Sequence, residues 1–528
     1  MLALVRDRLL AHTFGAGGEL DLYYAAFRIP DLMFALFASV LSVYVLLPFV
    51  TKAKEKGNLQ AGSNVLSQIF SAFLVTYAIS AVVVFIGAPY LVGLIFPGFG
   101  AEDSNMLVLL IRVLLLQPFL LGISSLFGVI TQYSQRFILY AISPLVYNLG
   151  IILGIAVFYP IFGLIGLVLG VVVGALGHML IQLPLVSRSE LNFKLLTNID
   201  WPLVKSVLVF AFPRAITLSI HQVVLLVFVS FATLMAAGSV SVFQFAFNLQ
   251  SVPLAVVGMS YSVAAFPVLA ELFAKQQRET FCIHLMSAFR HIIFWSMPII
   301  ALVIVLRAQI VRAILGSGSF SWNDTRLTAA MLAVLVVSLI AQSLMLLLVR
   351  AFYAGGNTRT PLLIALTGAF VSISSTVLLI AVYDSAPYVN QLVDSLFRLE
   401  GVQGTEVLLL GLTFIFGTIF EMVLLLIFSA RLFGLNWFKL TRQVLQSLAA
   451  AVVSAIVAYI TLNFIVDGVN QETLIGIILQ GAVAGVFGII GAILTYYVLG
   501  SKELHEIYTS FRSKILKTDV IAPQSEVL

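Results

Sequence analysis

The chain has 528 residues, of which 61% are apolar and only 10% charged. A soluble domain carries about 25% charged and about 45–50% apolar residues, so this composition excludes one, and nucleic acid is not among the expected partners. The net charge of +5 at pH 7 has to be read from where the basic residues fall. Apolar runs of about 18 residues or more recur along nearly the whole length, the signal for spanning helices. Met1 leads through Leu2-Ala3-Leu4-Val5 straight into charges, so no cleavable signal is expected. The single cysteine, Cys282, excludes a disulfide framework within one chain and reads as a small hydrophobe.

The first predicted helix, residues 1–14, is too short to cross a bilayer alone and carries Arg6-Asp7-Arg8. A turn at Phe14-Gly15-Ala16-Gly17 leads past Asp21 into a span over 20–50 that holds Arg28, Pro30 and Asp31. Further spans are predicted over 61–88, 104–131, 137–158, 161–186, 203–236, 239–273, 281–306, 327–353, 360–383, 405–430, 443–465 and 473–499. With the first segment this makes an all-α membrane protein of about fourteen helices. Stretches 89–103 and 307–324 are expected to lie in the interface, 384–404 to be a polar loop, and the tail from Ser501 to end in a disordered Pro-containing piece.

Basic residues fall on alternate connections. Lys52, Lys54 and Lys56 share a side with Arg136, Arg188, Lys194, Lys275, Arg278, Arg359, Arg431 and Lys439, while the loops around Gly17, Pro97, Tyr159, Gly238 and Gly468 carry almost none; the exceptions are Arg307, Arg312 and Arg326 in one outer loop and Arg398 in another. By the positive-inside rule both termini are cytoplasmic. An internal duplication is also legible: Ala26-Phe27-Arg28 matches Ala246-Phe247-Asn248, Pro48 matches Pro267, and Gln135-Arg136 matches Thr358-Arg359, at an offset near 220. Two six-span lobes, 1–187 and 202–431, are therefore expected, joined by a linker at 188–201. Two extra helices follow at 432–500, whose small residues read as close helix packing or, alternatively, as an apolar groove for a lipid tail, and then a cytoplasmic tail at 501–528. Such repeats point to a solute pathway between lobes.

No metal-ligand spacing, Walker lysine or hydrolase motif occurs, so neither enzyme chemistry nor a cofactor is indicated. What remains is charge inside apolar spans, which survives mainly beside a partner or a wet cavity. Arg6-Asp7 presents an arginine fork suited to a phosphate, with a carboxylate to fix it. Asp21 reads equally as a site residue or as an N-cap for the second helix. Arg28 lies two turns inside an apolar span, next to a carbonyl freed by Pro30. Arg214, with His221 and Gln222 further along, lines a cavity wall, whereas His178 and Gln182 read as helix–helix glue. Arg112 reads as snorkelling or pairing with Glu102 or Asp103, and Arg350 as a helix cap. Cations outnumber anions near the first, second and seventh helices, which points to an anionic head group.

The quoted residues resemble the opening of the MurJ (MviN) lipid II flippases of the multidrug/oligosaccharidyl-lipid/polysaccharide exporter superfamily. The resemblance runs on through Pro97-Gly98-Phe99, Gln182-Leu183-Pro184, Pro213-Arg214, Gly238-Ser239-Val240-Ser241, Phe266-Pro267, Arg350-Ala351-Phe352-Tyr353-Ala354 and Thr358-Arg359-Thr360-Pro361. It implies fourteen helices, two lobes, alternating access in a bacterial cytoplasmic membrane, a cationic cavity for the lipid II pyrophosphate and a groove for its polyprenyl tail. Envelope-synthesis proteins are possible partners. The implied substrate site comprises Arg6, Asp7, Asp21, Arg28, Arg214 and Asn248, the last standing where the family has an arginine. The family's Arg-Arg and Glu-Gly of the second helix fall on Phe34-Ala35 and Ser39-Val40, and its sodium ligands on Phe228, Ser372 and Thr376. Export of another polyprenyl-linked saccharide or a small amphiphile, and a non-transporting scaffold, stand as alternatives.

Overall fold

The computed structural model describes residues 2–55, 58–191, 194–385, 391, 395–465 and 473–515. Every regular element among them is helical. Twelve helical stretches are long and apolar enough to cross a membrane, thirteen when a pair bent by 44° at 337–338 is counted as one span. The helix before them, α1 (Leu2–Phe14), has 13 residues. At about 1.5 Å per residue it reaches about 20 Å, short of the ~30 Å hydrocarbon layer. The expected number of helices, with the first one short, is therefore found.

The second span is broken twice, into α2 (Gly18–Ala26), α3 (Arg28–Val40) and α4 (Val43–Glu55). The first break, at Phe27, comes three residues before Pro30, a residue with no N–H to give a helix. Next comes α5 (Leu59–Ile95), started by Asn58, whose side chain accepts from the Ala61 N–H at 3.0 Å. It runs straight through Pro89, so 89–103 is not a separate interfacial helix. The reason lies in the following helix, α6 (Ala101–Leu114). Pro89 has no N–H for the Phe85 carbonyl, and Arg112 Nε donates to that carbonyl at 3.0 Å instead. The Arg112 guanidinium also lies 4.7 Å from the Phe85 ring centroid. Arg112 therefore completes α5 rather than pairing with Glu102 or Asp103.

Helices α7 (Leu116–Tyr133), α8 (Phe137–Leu153) and α9 (Leu164–Leu180) follow. Gly150 of α8 and Gly154, just past its end, face Gly174 and Gly170 of α9 so closely that a Cβ on any of them would fall on the opposite backbone. Small residues thus let two helices meet where lipid gives no hydrophobic drive. His178 and Gln182 do serve as glue: Ser124 Oγ of α7 lies 2.7 Å from His178 Nδ1, and Gln182 Nε2 donates to Ser124 Oγ at 2.7 Å. The linker is strapped along α5, where Ser67, Ser71 and Gln68 accept from the N–H groups of Lys194, Leu196 and Asp200 at 2.8–2.9 Å.

Beyond the linker come α10 (Trp201–Thr233), α11 (Ser239–Leu254), α12 (Ser260–Ala274), α13 (Arg278–Val305), α14 (Arg307–Leu315), α15 (Trp322–Val336), α16 (Leu339–Ala354), α17 (Arg359–Ser385), α18 (Leu408–Phe433), α19 (Thr441–Ile460), α20 (Leu474–Val498) and α21 (Lys502–Ile515). The chain forms two contact units. One comprises Met1–Leu249, Ile314–Met331 and Thr358–Glu421, the other Gln250–Ala313, Leu332–Asn357 and Met422–Leu528. These units follow packing, whereas the lobes read from the sequence follow the duplication. In the second unit the glycine face of α20 is filled: Gly488 meets Leu302 and Ala458, Gly485 meets Leu306, and Gly481 meets Gln309. The tail is helical as far as Ile515 and is held by Glu503, 3.5 Å from Arg290 and accepting from Ser501 Oγ at 2.9 Å. The Pro-containing end lies outside the described residues, as do Asp394 and the side chain of Asp384.

Candidate functional site

The site lies in the first contact unit, where α1, α3, α8 and α11 bring their polar residues together. Arg6 donates to Asp7 Oδ1 through Nε at 2.9 Å and Nη2 at 2.7 Å, and through Nη1 to Asn148 Oδ1 of α8 at 3.2 Å. The other Asp7 oxygen accepts from Asn248 Nδ2 of α11 at 3.1 Å. One turn back on α11, Gln244 Nε2 donates to Asn248 Oδ1 at 2.7 Å, while Gln244 Oε1 accepts from Arg28 Nη2. A continuous chain therefore runs Arg6–Asp7–Asn248–Gln244–Arg28.

Its depth follows from helix geometry. Asp7 and Asn248 lie about 10–14 Å along their helices from the ends at Phe14 and Ser239, and Arg28 opens α3, beyond the whole length of α2 from Gly18. The Asp7 side chain is 3% exposed and that of Arg6 20%, so the pair is strongly shielded from water. Arg28, one turn before Asp31, is buried and within electrostatic reach of it; Asp31 in turn is hydrogen-bonded by Gln117 of α7. Among the described residues two arginines are thus set against two aspartates. Around the site three buried polar atoms have no partner among the described residues: Arg28 Nε, Tyr24 Oη and Gln117 Oε1. Buried polar groups are nearly always satisfied, and these three are open to a polar ligand or to water.

Asp21 has a separate place. Its Oδ2 accepts from the Gly238 N–H at 2.6 Å, and its Oδ1 from the Ser241 N–H at 2.8 Å and Oγ at 2.6 Å. It caps the start of α11, which begins 218 residues later, and not the second helix. Gly238 holds φ +93°, and a Cβ there would fall on the Ala16 carbonyl, so glycine is what lets the two turns close on each other. Beside them the Ser319 N–H donates to the His12 carbonyl at 2.9 Å, and Arg8 Nη1 to the Ile314 carbonyl at 3.3 Å. A cavity of about 310 Å³ opens here, bordered by Ala16, Ser239, Asp324 and the Gly401–Gly404 turn.

Of the six residues expected in the site, Arg6, Asp7, Arg28 and Asn248 form one network, and Asp21 lies at the cap. The Arg214 side chain lies outside the described residues, though His221 on the same helix is within charge reach of Arg28. Arg350 is elsewhere, donating to Met259 Sδ at 3.3 Å. Sequence reasoning passed over Gln244, Asn148 and Gln117. Gln244 had a signal, lying four residues before Asn248 on one helix face. Asn148 and Gln117 had none. Among the described residues no His, Cys, Asp and Glu cluster could hold a metal ion.

Comparison with known proteins finds relatives over most of the chain. Residues 10–478 match the family model described as lipid II flippase MurJ. A probable lipid II flippase MurJ of Thermotoga maritima is 28% identical over 461 residues, covering 82% of this chain and 92% of that protein. Its counterpart in Rickettsia prowazekii is 25% identical over 386 residues, covering 72% and 75%. A solved structure described as lipid II flippase MurJ in an inward closed conformation superposes with a TM-score of 0.73 at 20% identity, over 94% of this chain and 97% of that one. An inward-facing multidrug resistance MATE family transporter of the MOP superfamily reaches 0.67 at 12% identity, over 82% and 94%. At these identities the structural likeness speaks for the fold.

Proposed function

We propose that this chain, which belongs to the MurJ lipid II flippase family of membrane transporters, carries a polyprenyl-pyrophosphate-linked peptidoglycan precursor, lipid II, from the inner to the outer leaflet of a bacterial cytoplasmic membrane. Both termini are cytoplasmic in this reading, as the alternation of basic loops supports. The turns at Gly15–Gly17 and Ala236–Gly238 then face outward, and the Asp21 cap closes the outer end of the pathway. The lobes of the internal duplication rock about the site, exposing it to each side in turn.

The observation that carries the reading is the buried Arg28, whose Nε has no partner among the described residues, within charge reach of Tyr24, whose hydroxyl has none among them either. A guanidinium is a fork matched to phosphate oxygens, and an incoming pyrophosphate satisfies groups that are otherwise buried without partners. Each charge-assisted contact of this kind is worth about 1.5–3 kcal/mol. Arg6 supports the site differently, since its fork is already engaged by Asp7 and Asn148.

The test is binding of purified protein in nanodiscs to lipid II, wild type against Arg28→Ala. Saturable binding that weakens about tenfold or more, roughly 1.4 kcal/mol, supports a pyrophosphate site. Folded wild-type protein that does not bind overturns the lipid II assignment. A monophosphate-linked sugar lipid measured alongside separates this reading from the alternative of a polyprenyl-linked saccharide with fewer phosphates.

A further inference from the structure

The chain from Arg28 to Asp7 has a direction that its two ends impose. A guanidinium only donates hydrogen bonds and a carboxylate only accepts them. Arg28 Nη2 therefore requires the Gln244 oxygen, which turns the Gln244 amide nitrogen toward Asn248 Oδ1, at 2.7 Å. That contact in turn leaves Asn248 Nδ2 for Asp7 Oδ2, at 3.1 Å. Neither amide can flip without setting donor against donor or acceptor against acceptor. Two neutral side chains thus link a cation on α3 to an anion on α1. The Asp7 end is already held by Arg6, while the Arg28 end still has Nε free among the described residues.

We infer that Gln244 is a positioning residue for the anion site: it aims the Arg28 guanidinium and couples its occupancy to the Arg6–Asp7 pair. The inference rests on the pyrophosphate reading above and deepens it. An anion drawn to Arg28 meets the open Nε edge, while Gln244 Oε1 keeps Nη2 and with it the aim of the guanidinium. The anion's charge weakens the bond that Nη2 gives the Gln244 oxygen, and the change passes through Asn248 to the Arg6–Asp7 pair. When the anion departs, that bond recovers. The residue at 248 matters here as well, because an amide both accepts from Gln244 and donates to Asp7, which no arginine can do.

The test uses the full chain in nanodiscs with geranylgeranyl pyrophosphate as the probe and geranylgeraniol as its neutral control. Wild type, Gln244→Ala, Gln244→Glu, Arg28→Ala and the double variant Gln244→Ala/Arg28→Ala are compared, each with its thermal midpoint. Gln244→Ala is expected to weaken the pyrophosphate about five- to tenfold and leave the alcohol unchanged. Gln244→Glu keeps the size and the bond to Arg28 but cannot donate to Asn248, and it sets a negative charge beside the guanidinium. It is expected to weaken the pyrophosphate at least as much, so it stands in if the alanine variant does not fold. In the Arg28→Ala background Gln244→Ala is expected to cost nothing further, because a positioning residue has nothing left to position. Additive losses, or equal losses for the alcohol, overturn the inference and make Gln244 a packing residue. Wild type that fails to bind the pyrophosphate overturns the functional reading instead.

Discussion

Replacing Asp21 by Asn is the sharpest perturbation of the closed end of this protein. The carboxylate accepts three hydrogen bonds, two on Oδ1 from Ser241 and one on Oδ2 from the Gly238 N–H. An asparagine supplies one oxygen, so in its better orientation it keeps the Ser241 pair and sets an NH₂ against the Gly238 N–H. The loss is one charge-assisted bond, about 1.5–3 kcal/mol, together with the interaction of a negative charge with the start of α11, about 0.5–1 kcal/mol. The sum, about 2–4 kcal/mol, shifts the opening equilibrium of this end by about 30- to 1,000-fold. Ser239 reports on it, being 2% exposed and on the wall of the cavity next to the cap. In a Cys282→Ala background, Ser239→Cys is labelled on whole cells with a membrane-impermeant maleimide. Adding Asp21→Asn is expected to raise the labelling rate at least tenfold. Equal rates with and without Asp21→Asn refute the cap as the latch of this end.

Three further outcomes follow from the packing. Arg112→Leu strands the Phe85 carbonyl and is expected to cost about 1–3 kcal/mol, read as a lower thermal midpoint in detergent; adding Pro89→Ala restores the missing N–H and recovers much of the loss. Gly174→Leu drives a side chain into the Tyr147 carbonyl across the α8–α9 contact, so folded protein is expected to fall to trace levels by size-exclusion chromatography, with Gly177→Ala the milder neighbour. Gln182→Leu removes the donor to Ser124 Oγ and the acceptor for Thr131 Oγ1 and is expected to lower the thermal midpoint by the equivalent of about 1–3 kcal/mol.

The membrane class, the helices and their number are decided by the sequence itself, because hydrocarbon forces each span to satisfy its own backbone and an apolar run of the right length has few other solutions. The placing of charge was legible for the same reason: an arginine at position 28 of an apolar span needs a partner wherever it goes. Which partner it takes was not. Asp21 reads locally as a cap for its own helix, yet it caps one that begins 218 residues later, and no local pattern carries that pairing. Arg112 reads as a snorkelling cation until α5 and α6 pack and bring it to the carbonyl that Pro89 abandons. The Arg28–Gln244–Asn248–Asp7 wire joins three helices, and its members become neighbours only when those helices meet. Local chemistry fixes what each side chain needs, and only packing decides which distant group supplies it.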